Sequence, residues 1–136
     1  MSITLTKESP EQKTTQDYAE LITVVIKYPN KPATVENIIK NNKTYEKIVE
    51  GYIAAVPFPG SESHMDLLMN DEGKMIHMEP NLYSPEYKNI FVGPLIAIGV
   101  AEKDLSWRSL TPAEIGVAIE YFRAYGINQS NIQKEE

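Results

Sequence analysis

The sequence contains no cysteine, which excludes disulfides, thiolate metal sites and cysteine nucleophiles. No apolar run approaches the roughly 18 residues that would cross a bilayer, so no membrane partner is expected. The opening stretch MSITLTKESPEQ lacks a basic start followed by an apolar segment, so no secretory signal is expected either. Positive charge is in the minority. Thirteen Lys and Arg stand against 19 Asp and Glu, for a net charge of -6. A protein that grips phosphate backbones without sequence preference shows a basic face. Here the basic residues are interleaved with acids, which argues against non-specific nucleic-acid binding and still leaves room for one small basic pocket.

Catalytic patterns are equally sparse. His64 and His77 are the only histidines, and neither stands at HxH, HxxxH or HxxE spacing. No metal and no other cofactor is expected. Ser63 precedes His64 without the strained turn or glycine frame of an activated serine. Asp71-Glu72 is the obvious carboxylate pair, but it falls in a turn expected to be solvated, whereas acid/base work needs burial or close charge pairing. With no nucleophile, base and orienting group in evident association, the chain reads as a non-enzyme.

What is present is a chain of 136 residues, 42% of them apolar, enough for one domain with a core. Residues 1–17 read as a polar arm, 18–127 as a single domain and 128–136 as a frayed tail. The β-branched run Leu21 to Ile26 reads as a central strand ended by Tyr28-Pro29-Asn30. ATVENII, after Pro32, reads as a second strand. NNKTYEKIVEG reads as a helix, capped by Asn41 or Asn42 and ended at Gly51. Tyr52 to Val56 follows as a strand.

Asp66–Met69 and Lys74–Met78 read as two strands joined by Asn70-Asp71-Glu72-Gly73. That segment is expected to close a hairpin with Gly73 at positive φ, since a phosphate loop would need more glycines and a following helix. Ile90 to Gly99 reads as a strand broken at Gly93-Pro94. The firmest element is the last. Thr111-Pro112-Ala113-Glu114 is a capping box, and Ile115, Ala118, Ile119, Phe122 and Tyr125 form one stripe. The expected fold is α+β, a mixed or mostly antiparallel sheet with two helices packed on one side and a C-terminal helix over 111–125. A sheet face left bare by only two helices makes a homodimer plausible.

Certain of these segments occur in a telling order: Val49-Glu50-Gly51-Tyr52-Ile53-Ala54, Asn70-Asp71-Glu72-Gly73-Lys74, Pro80-Asn81, and Phe91-Val92-Gly93-Pro94 before an apolar strand that ends in Gly99. The set resembles an uncharacterised small domain family of phages, plasmids and their bacterial hosts, with V-G-G-Y-I-E, N-E-E-G-K, P-N and G-P motifs. The closing helix start Leu110-Thr111-Pro112-Ala113-Glu114 is similar too. The likeness covers about Leu21 to Phe122. Glu50 departs from it by replacing the first glycine of the pair, and Ala54 by replacing the acid, so a site at those positions would be altered here. The resemblance implies a mobile-element protein in the cytoplasm of a bacterial host, with a role around host defence. It carries over no catalytic residues.

The expected function is therefore binding. The leading reading is an accessory protein that acts by binding a host protein, with inhibition of a defence component as the expected outcome. The alternatives are sequestration of a small nucleotide-like ligand and, third, an acidic DNA mimic. Long ordered loops carry function disproportionately. The segment between Pro80 and Asn89 reads as the longest of these, which makes Asn81, Tyr83, Tyr87 and Lys88 candidate recognition residues, with Lys74 and Arg108 as candidate cations.

Overall fold

The structure is a computed structural model that describes residues 20–60 and 64–128. The expected N-terminal arm and nearly all of the expected tail lie outside the described residues. Ten elements follow one another: β1 (Leu21–Lys27), β2 (Thr34–Ile39), α1 (Asn42–Val49), β3 (Ile53–Pro57), β4 (Met65–Asn70), β5 (Pro80–Ser84), β6 (Asn89–Val92), β7 (Leu95–Val100), β8 (Trp107–Arg108) and α2 (Pro112–Tyr125). The main sheet has the order β2-β1-β7-β4-β3, and the two-residue β8 adds to the end of β7. Every named pair is antiparallel. The fold is thus α+β with an antiparallel sheet and a C-terminal helix.

Strand position follows from composition. β7, LIAIGV, is buried along nearly its whole length, as a strand with neighbours on both sides and cover on both faces must be. Among the described residues the two edges are β2, which carries Glu36 and Asn37, and β3, which ends in Pro57. Charge and proline are the residue types that blunt an edge against further pairing. At Gly93 φ is +74°, and a Cβ there would lie 2.7 Å from the Met78 sulfur. The chain turns at that point, so Ile90 to Gly99 is not one strand. Its first part, β6, pairs with β5 in a separate two-stranded sheet, and its second part is the centre of the main sheet.

The helices do not share a side. Successive strand residues face opposite ways, and the buried residues sort accordingly. Val25, Leu67, Leu95 and Ala97 pack with Ala118 and Phe122 of α2 and with Leu82 and Phe91 of the β5–β6 hairpin. Val24, Ile26, Leu68, Ile96 and Ile98 pack with Tyr45 and Val49 of α1. The expectation of two helices on one side is corrected. The reason is that β1, β4 and β7 are apolar on both faces, so each face needs its own cover. The argument for a dimer from a bare face loses its footing with it.

Two further expectations are corrected. Lys74–Met78 forms no strand. Asp71 to His77 is a succession of tight turns, in which Ile76 N–H donates to Glu72 O (3.1 Å) and Met78 N–H to Gly73 O (2.9 Å). Gly73 is not at positive φ. A Cβ there would meet Val92 at 2.8 Å, so close approach of β6 explains the glycine. Nor is Pro80 to Asn89 a long loop. Pro80–Ser84 is a strand, and the irregular part is only the turn before Asn89.

Candidate functional site

The residues singled out in the sequence scatter. Asn81 is fully buried. Its side-chain amide donates to Lys27 O and Gly93 O, both at 2.7 Å, and its Oδ1 accepts from Lys27 Nζ at 2.8 Å. It joins β1, β5 and the β6–β7 link, and it has no surface to offer a partner. Arg108 lies at the other end of α2. It holds Glu114 with two hydrogen bonds of 2.8 and 3.0 Å, and that pairing keeps the Glu114 carboxyl below its ordinary range. Tyr87 is half-exposed, but its hydroxyl donates to Pro57 O (2.7 Å) and its ring stands edge-on to Phe91. Tyr83 and Lys88 are exposed on the hairpin, Lys88 with φ of +52° in its turn. Lys74 donates to Asn89 Oδ1, the first residue of β6. Only Lys74 and the hairpin are brought together.

Where they meet there is a groove of about 220 Å³, walled by Ala54, Met69, Lys74, Met75, Ile90 and Phe91. A second groove of about 300 Å³ adjoins it through the shared residues Asn70 and Glu72 and is bordered by Tyr52 and Ile76. Four large apolar side chains stand exposed here: Met75 (77%), Tyr52 (76%), Ile76 (55%) and Ile90 (41%). Glu46, Glu50, Asp71 and Glu72 contribute acids to the same two grooves. Ala54 adds no acid.

The turn between these grooves is architecture. Asn70 Oδ1 accepts from Glu72 N–H (2.7 Å), the local bond that starts the Asp71–His77 turns. Asn70 Nδ2 donates to Val49 O and Glu50 O, both at 3.1 Å, and so satisfies carbonyls at the end of α1. A Cβ on Gly51 would lie 2.6 Å from that nitrogen, so the glycine makes room for the amide. Glu50 itself holds the left-handed position, φ +68° and ψ +34°, that most often belongs to glycine at a helix end. The segments that carry the family resemblance therefore meet in pairs: Asn70 with Val49-Glu50-Gly51, and Asn81 with Gly93. They fasten the backbone.

Three residues that the sequence reading left aside occupy notable places. Tyr121 is buried, and its hydroxyl contacts Ser84 Oγ (3.0 Å) and donates to Glu86 Oε1 (2.5 Å). Burial, and then the Glu86 carboxylate, push its pKa far up, so it stays protonated, and its hydroxyl fastens the hairpin to α2. Tyr45 Oη is buried with no hydrogen-bond partner among the described residues. Lys27 is only 4% exposed, and burial lowers its pKa. Strand alternation was the available signal for Lys27, because it shares a face with the fully buried Val25 two residues earlier.

Among the described residues no three His, Asp or Glu side chains gather as a metal would require. His64 approaches Glu102 at 3.2 Å on the surface. Among the same residues no helix is long and apolar enough to cross a membrane.

Neither the curated proteins nor the solved structures yield a match to this chain. Residues 22–125 match the family described as a domain of unknown function, DUF3846, a span from β1 to the last residue of α2. Since that match takes in all of the main sheet but its first residue, Leu21, and both helices, the chain belongs to the DUF3846 family.

Proposed function

We propose that this chain is a non-catalytic accessory protein of a phage or other mobile element, and that it acts by occupying the surface of a host protein, a defence component being the leading candidate. The observation that carries the reading is the cluster of Tyr52, Met75, Ile76 and Ile90, exposed around two adjoining grooves at the β3 edge of the sheet. Single exposed apolar residues are ordinary, but several grouped around concave surface are the mark of a protein-docking site. Acids from α1 and from the Asp71–His77 turns surround them. The complementary partner presents an apolar knob flanked by Lys or Arg, with the charges setting orientation and on-rate more than affinity.

The test is capture from host lysate with the full chain as bait, followed by titration of the captured protein after purification. The expected result is a stoichiometric complex of nanomolar to micromolar affinity that is lost in an Ile76→Glu, Tyr52→Glu double variant. A complex that survives the double variant unchanged, or no stoichiometric partner at all, overturns the reading.

A further inference from the structure

Away from the docking grooves, and sharing no lining residue with them, a pocket of about 340 Å³ opens between the end of β1 and the C-terminal end of α2. Its walls include Pro32, Ile119 and Phe122, and its cations are Lys27, Lys31 and Arg123. The volume lies in the range of small-molecule sites, and apolar walls with a few convergent polar groups are their usual make-up.

Lys27 is the unusual member. A lysine that is nine-tenths buried is ordinarily paired with a carboxylate. Here, among the described residues, the ammonium donates only to Asn81 Oδ1 (2.8 Å) and Tyr28 O (3.2 Å). It has three donors. The nearby end of α2, capped at Gly126, adds partial negative charge of about half a unit at most. Two neutral oxygens and a helix end leave the charge under-compensated. Lys31 is exposed beside it, and Arg123 is exposed and paired with Glu120 one turn back. With Arg123 and Glu120 cancelling, the described residues that line the pocket retain a charge near +2 in a chain whose net charge is -6. A phosphate monoester carries about -1.5 to -2 at pH 7, which matches that excess better than a carboxylate does.

We propose that this pocket binds the phosphate group of a small phosphorylated molecule. Lys27 meets the phosphate from within, Lys31 and Arg123 meet it at the mouth, and the organic body lies against Phe122 and Ile119. The proposal goes beyond the docking surface, and each can fail without the other.

Calorimetric titration of the full chain with adenosine monophosphate, inorganic phosphate and adenosine tests it. The expected result is saturable binding of the monophosphate and none of adenosine. Binding of inorganic phosphate as tight as that of the monophosphate also supports a phosphate site and identifies the free ion as its occupant. Lys27→Met should lower affinity by about tenfold or more, equivalent to roughly 1.4 kcal/mol. Because that change also strips Asn81 of a partner, a Lys31→Ala, Arg123→Ala variant with both changes on the surface provides the second arm, with an expected loss of several-fold that deepens at low salt. Absence of saturation with either phosphate compound up to about 10 mM, or unchanged affinity in the surface double variant, overturns the proposal.

Discussion

The two faces of the main sheet draw on alternate residues of the same strands, yet their covers are unlike. One face lies under α2, 14 residues long, with a complete capping box at Thr111 and Glu114, and under the β5–β6 hairpin. Three aromatic rings, Phe58, Tyr121 and Phe122, meet edge-on there. The other face lies under α1, only eight residues long, which ends on a glutamate in a left-handed conformation and places a tyrosine hydroxyl in the core without a partner among the described residues. Burial is complete on both faces; local consistency is not. The α2 face has a complete capping box and aromatic packing, with the charge of Lys27 as its one under-compensated group among the described residues. The α1 face holds together through tertiary contacts such as Asn70 on the helix end and Trp107 edge-on to Tyr45 at 5.4 Å. Elements whose own sequence opposes their conformation open first in native-state fluctuations.

Four measurements can break or sharpen this contrast. The largest effect is expected on the α2 face, where Phe122→Ala should cost about 3–5 kcal/mol, read as a fall in the urea midpoint at constant slope. A loss below about 2 kcal/mol would mean that this face is not the better packed one. On the α1 face, Tyr45→Phe removes the orphaned hydroxyl and should stabilise by about 1 kcal/mol. A loss of similar size would show that the oxygen is satisfied in solution.

Glu50→Gly should stabilise α1 by somewhat less than about 1 kcal/mol, by relieving the left-handed strain. Slower hydrogen exchange of the α1 amides is the sharper readout, and no change there would locate the weakness elsewhere. The smallest effect concerns pH. Arg108 depresses the Glu114 pKa, so this carboxylate contributes stability above its unfolded value near 4.3 and loses it as pH falls through the lower folded value. The contribution is modest because Arg108 is one-third exposed and therefore screened. Glu114→Gln keeps the capping acceptor and removes the charge, so it should flatten stability below about pH 4. A variant with the same acid-side slope as the parent would mean that other carboxylates dominate.

Legibility divides along the same line. The helix over 111–125 could be read to the residue because capping box, N1 proline and apolar stripe all speak within one short stretch. The β1 run, the Asn41 cap and the break at Gly93-Pro94 were legible for the same local reason. The segment after Asn70 was misread because its alternating Met75, Ile76 and Met78 resemble a strand. In fact Met75 and Ile76 are exposed, and no neighbouring strand offers them a ladder. Asn81 and Arg108 looked like recognition residues because a polar side chain is by default a surface one. Their partners, Lys27 and Gly93 for the first and Glu114 for the second, are contacts that only the folded chain brings within reach.

The sequence alone determined the class of fold, the ends of the last helix and the absence of cysteine chemistry, since each rests on neighbours within a few positions or on composition. Tertiary structure alone decided that the helices cover opposite faces, that Asn70 clasps the end of α1 and Asn81 the link at Gly93, and that Lys27 lies under α2 beside a pocket. Those outcomes depend on which distant segments pack together, and packing is selected by the burial of whole faces rather than by any short stretch.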